Sequence, residues 1–107
     1  MGEGLGEFEQ LVLLALLRLG DEAYGVSVHR ELERRAGRRV TLGAVYKTLA
    51  RLEAKRLVGA RLGEPTPERG GRRKRYYQVL PAGRQAVVRS IETVRRMTRG
   101  LRPIPEW

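Results

Sequence analysis

The chain has 107 residues, a hydrophobic content of 41% and a formal net charge of +10 at pH 7, and this length predicts a single domain. It contains no cysteine, which excludes disulfides, thiolate nucleophiles and Cys-ligated zinc. A single histidine cannot build a metal site alone, so we expect neither a metal nor a cofactor.

The N-terminal region lacks the features of a membrane or secretory segment. The longest apolar run, residues 11–17, is far shorter than the roughly 20 residues that a membrane span needs. Glu3, Glu7 and Glu9 precede this run, where a secretory signal would carry basic residues. We therefore expect the chain to remain in the cytoplasm, with no membrane partner.

Positive charge is concentrated in the middle of the chain. Residues 30–75 carry fifteen Lys and Arg against five acids, whereas residues 1–29 carry one base and five acids. Such a field attracts polyanions, whose counterions are released on binding. Charge alone favours a nucleic acid over a merely solvated basic face or one adapted to an acidic lipid surface.

Three helices are predicted in the first half of the chain. The first covers residues 5–19 and has an apolar stripe wide enough for two packing partners. The second covers about residues 22–36, and Gly37 closes it. The third follows Thr41 as its N-cap and ends near Arg56, with a buried face predicted from the 3-4-3 spacing of four apolar residues, Leu42, Val45, Leu49 and Leu52.

The hydrophobic period then changes from that of a helix to that of a strand. Residues 58–62 and 74–80 are predicted to form a hairpin, joined by a loop at 63–73 that is rich in Gly, Pro and charge. A last helix is predicted over residues 82–101, with apolar residues in a 4-3-4-3 rhythm. Because so small a domain offers this stripe no obvious internal packing partner, we expect it to pack against a second copy of the chain.

This order of elements predicts a mainly α fold with a small β-hairpin. Residues 1–80 would form a winged helix-turn-helix domain and residues 81–107 a C-terminal dimerisation helix. A B-DNA major groove about 12 Å wide admits an α-helix, and the N-terminal residues of such a helix reach the base edges. The third helix begins with Gly43 and Ala44, which would let its backbone approach DNA closely.

Several motifs in this order resemble a known family. They are Tyr24-Gly25, the G-x-x-Y-x-x-L-x-x-L-E run from Gly43 to Glu53, the segment 70–77 with its R-Y-Y strand, and residues 81–84. On these residues the chain resembles the PadR family of bacterial transcriptional regulators from about Phe8 to Leu101. The resemblance implies a homodimeric repressor of the short-tailed branch, whose long C-terminal helix crosses onto its partner.

Two groups of functional residues follow from the charge, the helix faces and this resemblance. We expect contacts with double-stranded DNA from Tyr24, Arg38, Arg39, Thr41, Gly43, Ala44, Tyr46, Lys47, Arg51, Arg72, Arg73 and Lys74. We expect the dimer contacts of a homodimer from Phe8, Leu11, Val12, Val87, Ile91, Val94, Met97, Thr98 and Leu101.

Each DNA-contact assignment has a structural alternative. Tyr46 resembles the recognition-helix tyrosine of the family, but it could instead be a half-buried aromatic under the wing. Lys47 and Arg51 could be a solvated pair, and the basic hairpin tip a merely solubilising loop. Arg38 and Arg39 could pair with acids, for which Glu33 and Glu53 are candidates, and Tyr24 could pack the second helix onto the sheet.

Other polar residues are interpreted as structural. His29 is expected to be an exposed helix residue with no special task, and Tyr76 and Tyr77 are expected in the core. Two positions depart from the family pattern. Arg56 stands where a glycine is usual, so a left-handed backbone there would cost on the order of 1 kcal/mol. Leu80 stands where a capping threonine is usual, which loses about 1 kcal/mol.

Other functions remain as alternatives to a DNA-binding repressor. An RNA- or ribosome-associated winged helix would use the same charge, although sequence-specific RNA readers stack bases on exposed aromatics and this chain has few. A protein-interaction adaptor is disfavoured by the basic middle segment, and an enzyme by the lack of any nucleophile-base arrangement. A small-molecule effector at the dimer interface stays open, although Phe8 is the sole aromatic that the two helices predicted to form that interface supply.

Overall fold

The computed structural model describes residues 4–65 and 73–103. In chain order its elements are α1 (Glu7–Leu19), a 3₁₀ turn (Gly20–Glu22), α2 (Gly25–Arg35), α3 (Leu42–Ala54), β1 (Val58–Pro65), β2 (Arg73–Val79) and α4 (Pro81–Thr98). The fold is mainly α with one antiparallel hairpin, as the sequence predicts. No helix in these two ranges is long and apolar enough to cross a membrane.

The core is assembled around α1, which contacts α2, α3, α4 and β2. Val12, Leu13 and Leu16 of α1 are almost fully buried, and the wide apolar stripe predicted for this helix is thereby accounted for. From α3, the core receives the side chains of Val45, Leu49 and Leu52. Leu42 was expected on the same face, but it is 38% exposed because it is the first residue of α3 and lies beyond the edge of the core.

The second helix begins three residues later than predicted. Tyr24 has an extended backbone and forms a β-bridge with Tyr76 of β2, and the carbonyl oxygen of Ala23 accepts a hydrogen bond of 2.9 Å from the amide of Tyr77. The Ser27 hydroxyl accepts from the amide of Tyr24 at 2.9 Å and caps the helix. Because the hairpin uses the backbone of residues 23–24, these residues cannot join α2.

The third helix begins as predicted and ends two residues early. Thr41 Oγ1 accepts a hydrogen bond from the amide of Ala44 at 3.0 Å, which confirms the N-cap. At the other end, Arg56 has a φ of 62°, its amide donates to the Glu53 carbonyl, and the amide of Leu57 donates to the Leu52 carbonyl. This is a Schellman motif, so an arginine occupies the left-handed position that usually holds glycine.

The hairpin is longer than the alternation in the sequence indicates. Its register pairs Val58 with Val79, Ala60 with Tyr77, and Leu62 with Arg75, and an irregularity lies between Leu62 and Pro65. The strand β1 reaches three residues beyond its predicted end at residue 62. Arg72 and the remainder of the tip, residues 66–72, lie outside the described residues.

The last helix is part of the winged domain in its first half and projects from it in its second. Gly83 is buried, and a Cβ built on it would lie 2.2 Å from the carbonyl oxygen of Leu57. Val87, one turn later, is 3% exposed. The helix ends at Thr98, three residues before its predicted end, and Gly100 follows with a φ of 80°.

Candidate nucleic-acid interface

The third helix has two faces that share no side chain. One face is packed into the core through Val45, Thr48, Leu49 and Leu52. The other face is exposed and consists of Gly43, Tyr46, Lys47, Ala50, Arg51 and Ala54. At 100° per residue, the three small residues occupy the middle of the exposed face, with Tyr46 on one flank and the two cations on the other. We call this set of six residues the outward stripe.

Tyr46 lies against the first residue of α2. A Cβ built on Gly25 would lie 2.4 Å from the Tyr46 ring, so only glycine leaves room for the ring at this position. Tyr46 nevertheless remains 45% exposed. The structural alternative to a DNA contact placed this ring under the wing, whereas in the structure the ring packs against the start of α2, with its hydroxyl end next to Gly25.

Aromatic and cationic side chains connect the start of α2 to the hairpin. The rings of Tyr24 and Tyr76 meet edge to face, with centroids 5.6 Å apart. Lys74 Nζ lies 4.4 Å from the centroid of the Tyr24 ring, and the Arg61 guanidinium lies 4.7 Å from that of Tyr76. Cations over ring faces are attracted by the ring quadrupole, so these contacts hold two positive charges beside α2.

An ion pair joins the hairpin directly to α3. Arg75 of β2 donates a hydrogen bond of 2.8 Å to the carboxylate of Glu53, and this contact raises the pKa of Arg75. Glu53 was a suggested partner for Arg38 or Arg39, but it binds the hairpin instead. Both side chains are partly solvated, so the pair orients β2 against α3 more than it stabilises the fold.

The loop before α3 is held by two contacts that the sequence analysis did not predict. Arg38 donates a hydrogen bond of 2.8 Å to Glu7 of α1, and not to the suggested acids. His29 was expected to be exposed and without a task, which is wrong. It is half-buried, and its Nε2 lies 2.8 Å from the carbonyl oxygen of Val40. A signal was present, since His29 stands on α2 three residues before the buried Leu32, at the spacing of neighbours on a helix surface.

Those of the predicted DNA-contact residues that the structure describes lie at the start of α2, in the loop before α3, on α3 and on the hairpin, and these parts together are the candidate region. Arg39, Thr41, Arg73 and Lys74 are exposed there, and Ala44 is half-buried. Arg72 lies outside the described residues. Sequence analysis missed two members of the region, Gly25 as the support of Tyr46, and Ala50. The position of Ala50 four residues after Tyr46 would have placed it on the same face.

The predicted dimer contacts divide into surface and core residues. Val94, Met97 and Leu101 are 40%, 72% and 55% exposed, whereas the residues that are half-buried are Phe8, Leu11, Ile91 and Thr98. Val12 and Val87 are corrected to core residues, because exposures of 0% and 3% leave them no surface for a partner. The remaining seven lie on α1, on α4 and, for Leu101, just after α4, and we call this set the α1–α4 surface.

The exposed polar face of α3 lies beside the hairpin of β1 and β2, and basic residues occur on both. This arrangement defines a winged-helix protein. The chain belongs to the transcriptional regulator PadR-like family, whose family model matches residues 13–89. It is therefore a transcriptional regulator by family.

Solved structures and a curated protein are similar to this chain. A PadR-like transcription factor from Bacteroides fragilis superposes with a TM-score of 0.69 at 21% identity, over 85% of this chain and 82% of that chain, which shows the fold. RosR from H. salinarum gives a TM-score of 0.66 at 28% identity, over 91% and 80%. An uncharacterized 37.1 kDa protein in transposon TN4556 of Streptomyces fradiae is 34% identical over 87 residues. The match covers 80% of this chain and 23% of that protein, so the chain spans about a quarter of this relative.

Proposed function

We propose that this regulator binds double-stranded DNA sequence-specifically as a homodimer on a palindromic operator and acts as a repressor. The outward stripe of α3 is the observation that carries the proposal. Its small central residues let the helix backbone approach base edges, while Lys47 and Arg51 extend toward bases and phosphates. Residues 1–80 would supply the DNA contacts, and residues 81–107 the helix of the dimer.

The hairpin supports duplex binding over RNA binding. Arg73 and Lys74 are exposed where β2 begins, next to the tip that carries further arginines. Tyr24 and Tyr76 pack against each other, and Tyr77 is 7% exposed, so these rings are engaged within the protein. Sequence-specific RNA readers need exposed rings on which bases stack. Tyr46 is the one exposed tyrosine in the described ranges, and it already lies against Gly25.

The dimer is supported by the α1–α4 surface. Met97 is 72% exposed, Val94 stands three residues before it on α4, and Leu101 follows the end of that helix, so these three side chains present an apolar strip to solvent. Burial of such a strip contributes about 25 cal/mol per Å². A second copy of the chain would cover it and would place two α3 helices on successive turns of one duplex, about 34 Å apart.

Selection from a random pool of duplexes, followed by gel shifts, tests the DNA-binding proposal. Lys47→Ala is expected to weaken binding of the selected duplex by about tenfold or more and to relax its sequence preference. Arg73→Ala should lower the affinity for the selected and for a scrambled duplex to the same extent, and it should reduce the slope of log affinity against log salt concentration by about one. Arg34→Ala removes the same charge from an exposed site on α2 and should change little. Equal affinity of the wild type for both duplexes would defeat the sequence-specific claim.

Sedimentation tests the dimer. Met97→Glu places a charge in the middle of the apolar strip and should convert the dimer into monomers, because an unpaired charge would be buried. Val88→Glu is the matched control, since Val88 is 52% exposed but lies nearly opposite Met97 around α4. A wild-type protein that stays monomeric at every concentration measured would remove the dimer from the proposal. A reporter gene behind the selected sequence, with and without the protein, tests repression.

A further inference from the structure

An ion pair with a buried carboxylate joins the first turn of α1 to the end of α3. The side chain of Glu9 is 7% exposed, and its Oε2 accepts a hydrogen bond of 2.9 Å from Lys55 Nζ. Its Oε1 accepts from the amide of Gly6, also at 2.9 Å. The helical spacing places Lys55 next to Arg51, on the side of α3 that faces solvent, yet its ammonium turns inward to α1. Both oxygens of the carboxylate are therefore occupied.

This pair persists at neutral pH. Burial acts to raise the pKa of Glu9, but the hydrogen bonds from Lys55 and Gly6, together with the charges of Lys55 and Arg51, outweigh burial and hold the pKa below its ordinary value of 4.5. The carboxylate is thus ionised and bound to the ammonium. Removal of Lys55 would leave the buried carboxylate of Glu9 with an unmet charge, which is costly away from solvent, whereas the partly exposed ammonium of Lys55 remains solvated when Glu9 is removed.

The same part of α1 also borders the α1–α4 surface. Phe8 and Leu11 are half-buried members of that surface, and Gln10 Oε1 accepts a hydrogen bond of 3.0 Å from the hydroxyl of Ser90 in α4. The start of α1 therefore lies between α4 on one side and the end of α3 on the other. In a dimer joined along the α1–α4 surface, the position of α3 relative to α1 determines the distance between the two copies of α3.

We propose that Glu9 and Lys55 are positioning residues that hold α3 in place against the α1–α4 surface and so set the half-site spacing that the dimer accepts. This inference rests on the proposed function. Neither side chain needs to touch DNA, because the pair acts through the placement of α3. The spacing of two half-sites on DNA mirrors the geometry of the dimer that reads them.

For Glu9→Gln, a simple charge effect and a positioning effect predict opposite changes in DNA affinity. Glu9→Gln removes one acid, so charge alone would raise the affinity for every duplex. Positioning predicts a lower affinity for a duplex whose half-sites have the wild-type spacing, and a smaller penalty for altered spacing. The probes are the selected duplex, two derivatives with one base pair added or removed at the centre, and a scrambled duplex.

The wild type should bind the duplex with the selected spacing more tightly than the two derivatives. Glu9→Gln should reduce that preference by about five- to tenfold without lowering the affinity for the scrambled duplex. Lys55→Gln should reduce the preference to the same extent, and the double variant no further, because one interaction is lost in all three. Glu9→Gln secures the test if Lys55→Gln does not fold, because it leaves only the ammonium of Lys55 unpaired, whose side chain is 39% exposed, whereas Lys55→Gln leaves a buried carboxylate unpaired.

Glu92→Gln is the matched variant, with the same substitution at an exposed position of α4 that lies about 140° around the helix from Met97. It removes the same charge away from α3 and the loop before it, so it should raise affinity for all duplexes alike and keep the wild-type spacing preference. The inference is overturned if Glu9→Gln and Lys55→Gln keep the wild-type preference while affinity for all duplexes rises in the first and falls in the second. Failure of the wild type to enrich any duplex would instead overturn the proposed function.

Discussion

Substitution of Gly83 by alanine tests how α4 is attached to the winged domain. Alanine is favoured over glycine in a helix by about 1 kcal/mol. The added Cβ, however, would lie 2.2 Å from the carbonyl oxygen of Leu57 and 2.9 Å from Val79 Cγ1. A backbone carbonyl cannot rotate away, so α4 must move. This movement stretches the hydrogen bond of 2.9 Å from the Leu80 amide to the same carbonyl, which is worth about 1 kcal/mol.

Overpacking of a core adds about 1–3 kcal/mol to this cost, and the helix preference of alanine offsets about 1 kcal/mol, so Gly83→Ala should lower the free energy of unfolding by about 1–3 kcal/mol in total. Urea unfolding followed by circular dichroism measures it, at one protein concentration because dimerisation would shift the midpoint. Gly43→Ala is the comparison, since the nearest atom to its added Cβ is Thr41 Oγ1 at 4.0 Å, and it should stabilise by up to about 1 kcal/mol. A Gly83→Ala protein as stable as the wild type would refute this account of the contact.

Two further substitutions have clear expectations. Gly25→Ala should displace the Tyr46 ring from α2 and weaken binding to a selected duplex. The free energy of unfolding should change by less than about 1 kcal/mol, because the end of the Tyr46 side chain can rotate away. Unchanged DNA binding would show that the position of the ring is irrelevant. The pKa of Glu9 is held low in the folded state, so the stability that its ion pair contributes is complete above pH 4.5 and is lost as the pH falls through the lowered pKa. The stability difference between wild type and Glu9→Gln should therefore shrink below about pH 4.5, and a constant difference in urea midpoint would contradict the pair.

Local patterns predicted the elements and the two faces of α3 well. Val45, Leu49 and Leu52 recur at helical spacing, and Thr41 has the side chain of an N-cap. The buried face of α3 and its first residue could therefore be predicted from residues that are close together in the sequence. The left-handed Arg56 was anticipated from the family resemblance, since a glycine is usual at this position. Its C-terminal hydrogen bonds involve residues no more than five positions away.

Contacts between distant residues were beyond the reach of these patterns. The bridge from Tyr24 to Tyr76 removes the first residues from α2, and the pair of Glu9 with Lys55 turns a cation away from the surface of α3. Each joins residues at least 46 positions apart, and neither has a signature in local periodicity. The same reason explains why Val12 and Val87 were wrongly assigned to the dimer contacts. Helical spacing of apolar residues predicts burial, but it does not distinguish burial in the core of the chain from burial against a partner.

The separation of the two faces of α3 has a consequence for how this scaffold can diversify. Since the outward stripe shares no side chain with the core, its residues can be exchanged without creating a cavity or a strained rotamer. Relatives with the same backbone can therefore acquire new preferences through a few surface changes. The exception is Tyr46, whose ring is tied to the glycine at the start of α2, so these two positions must evolve together.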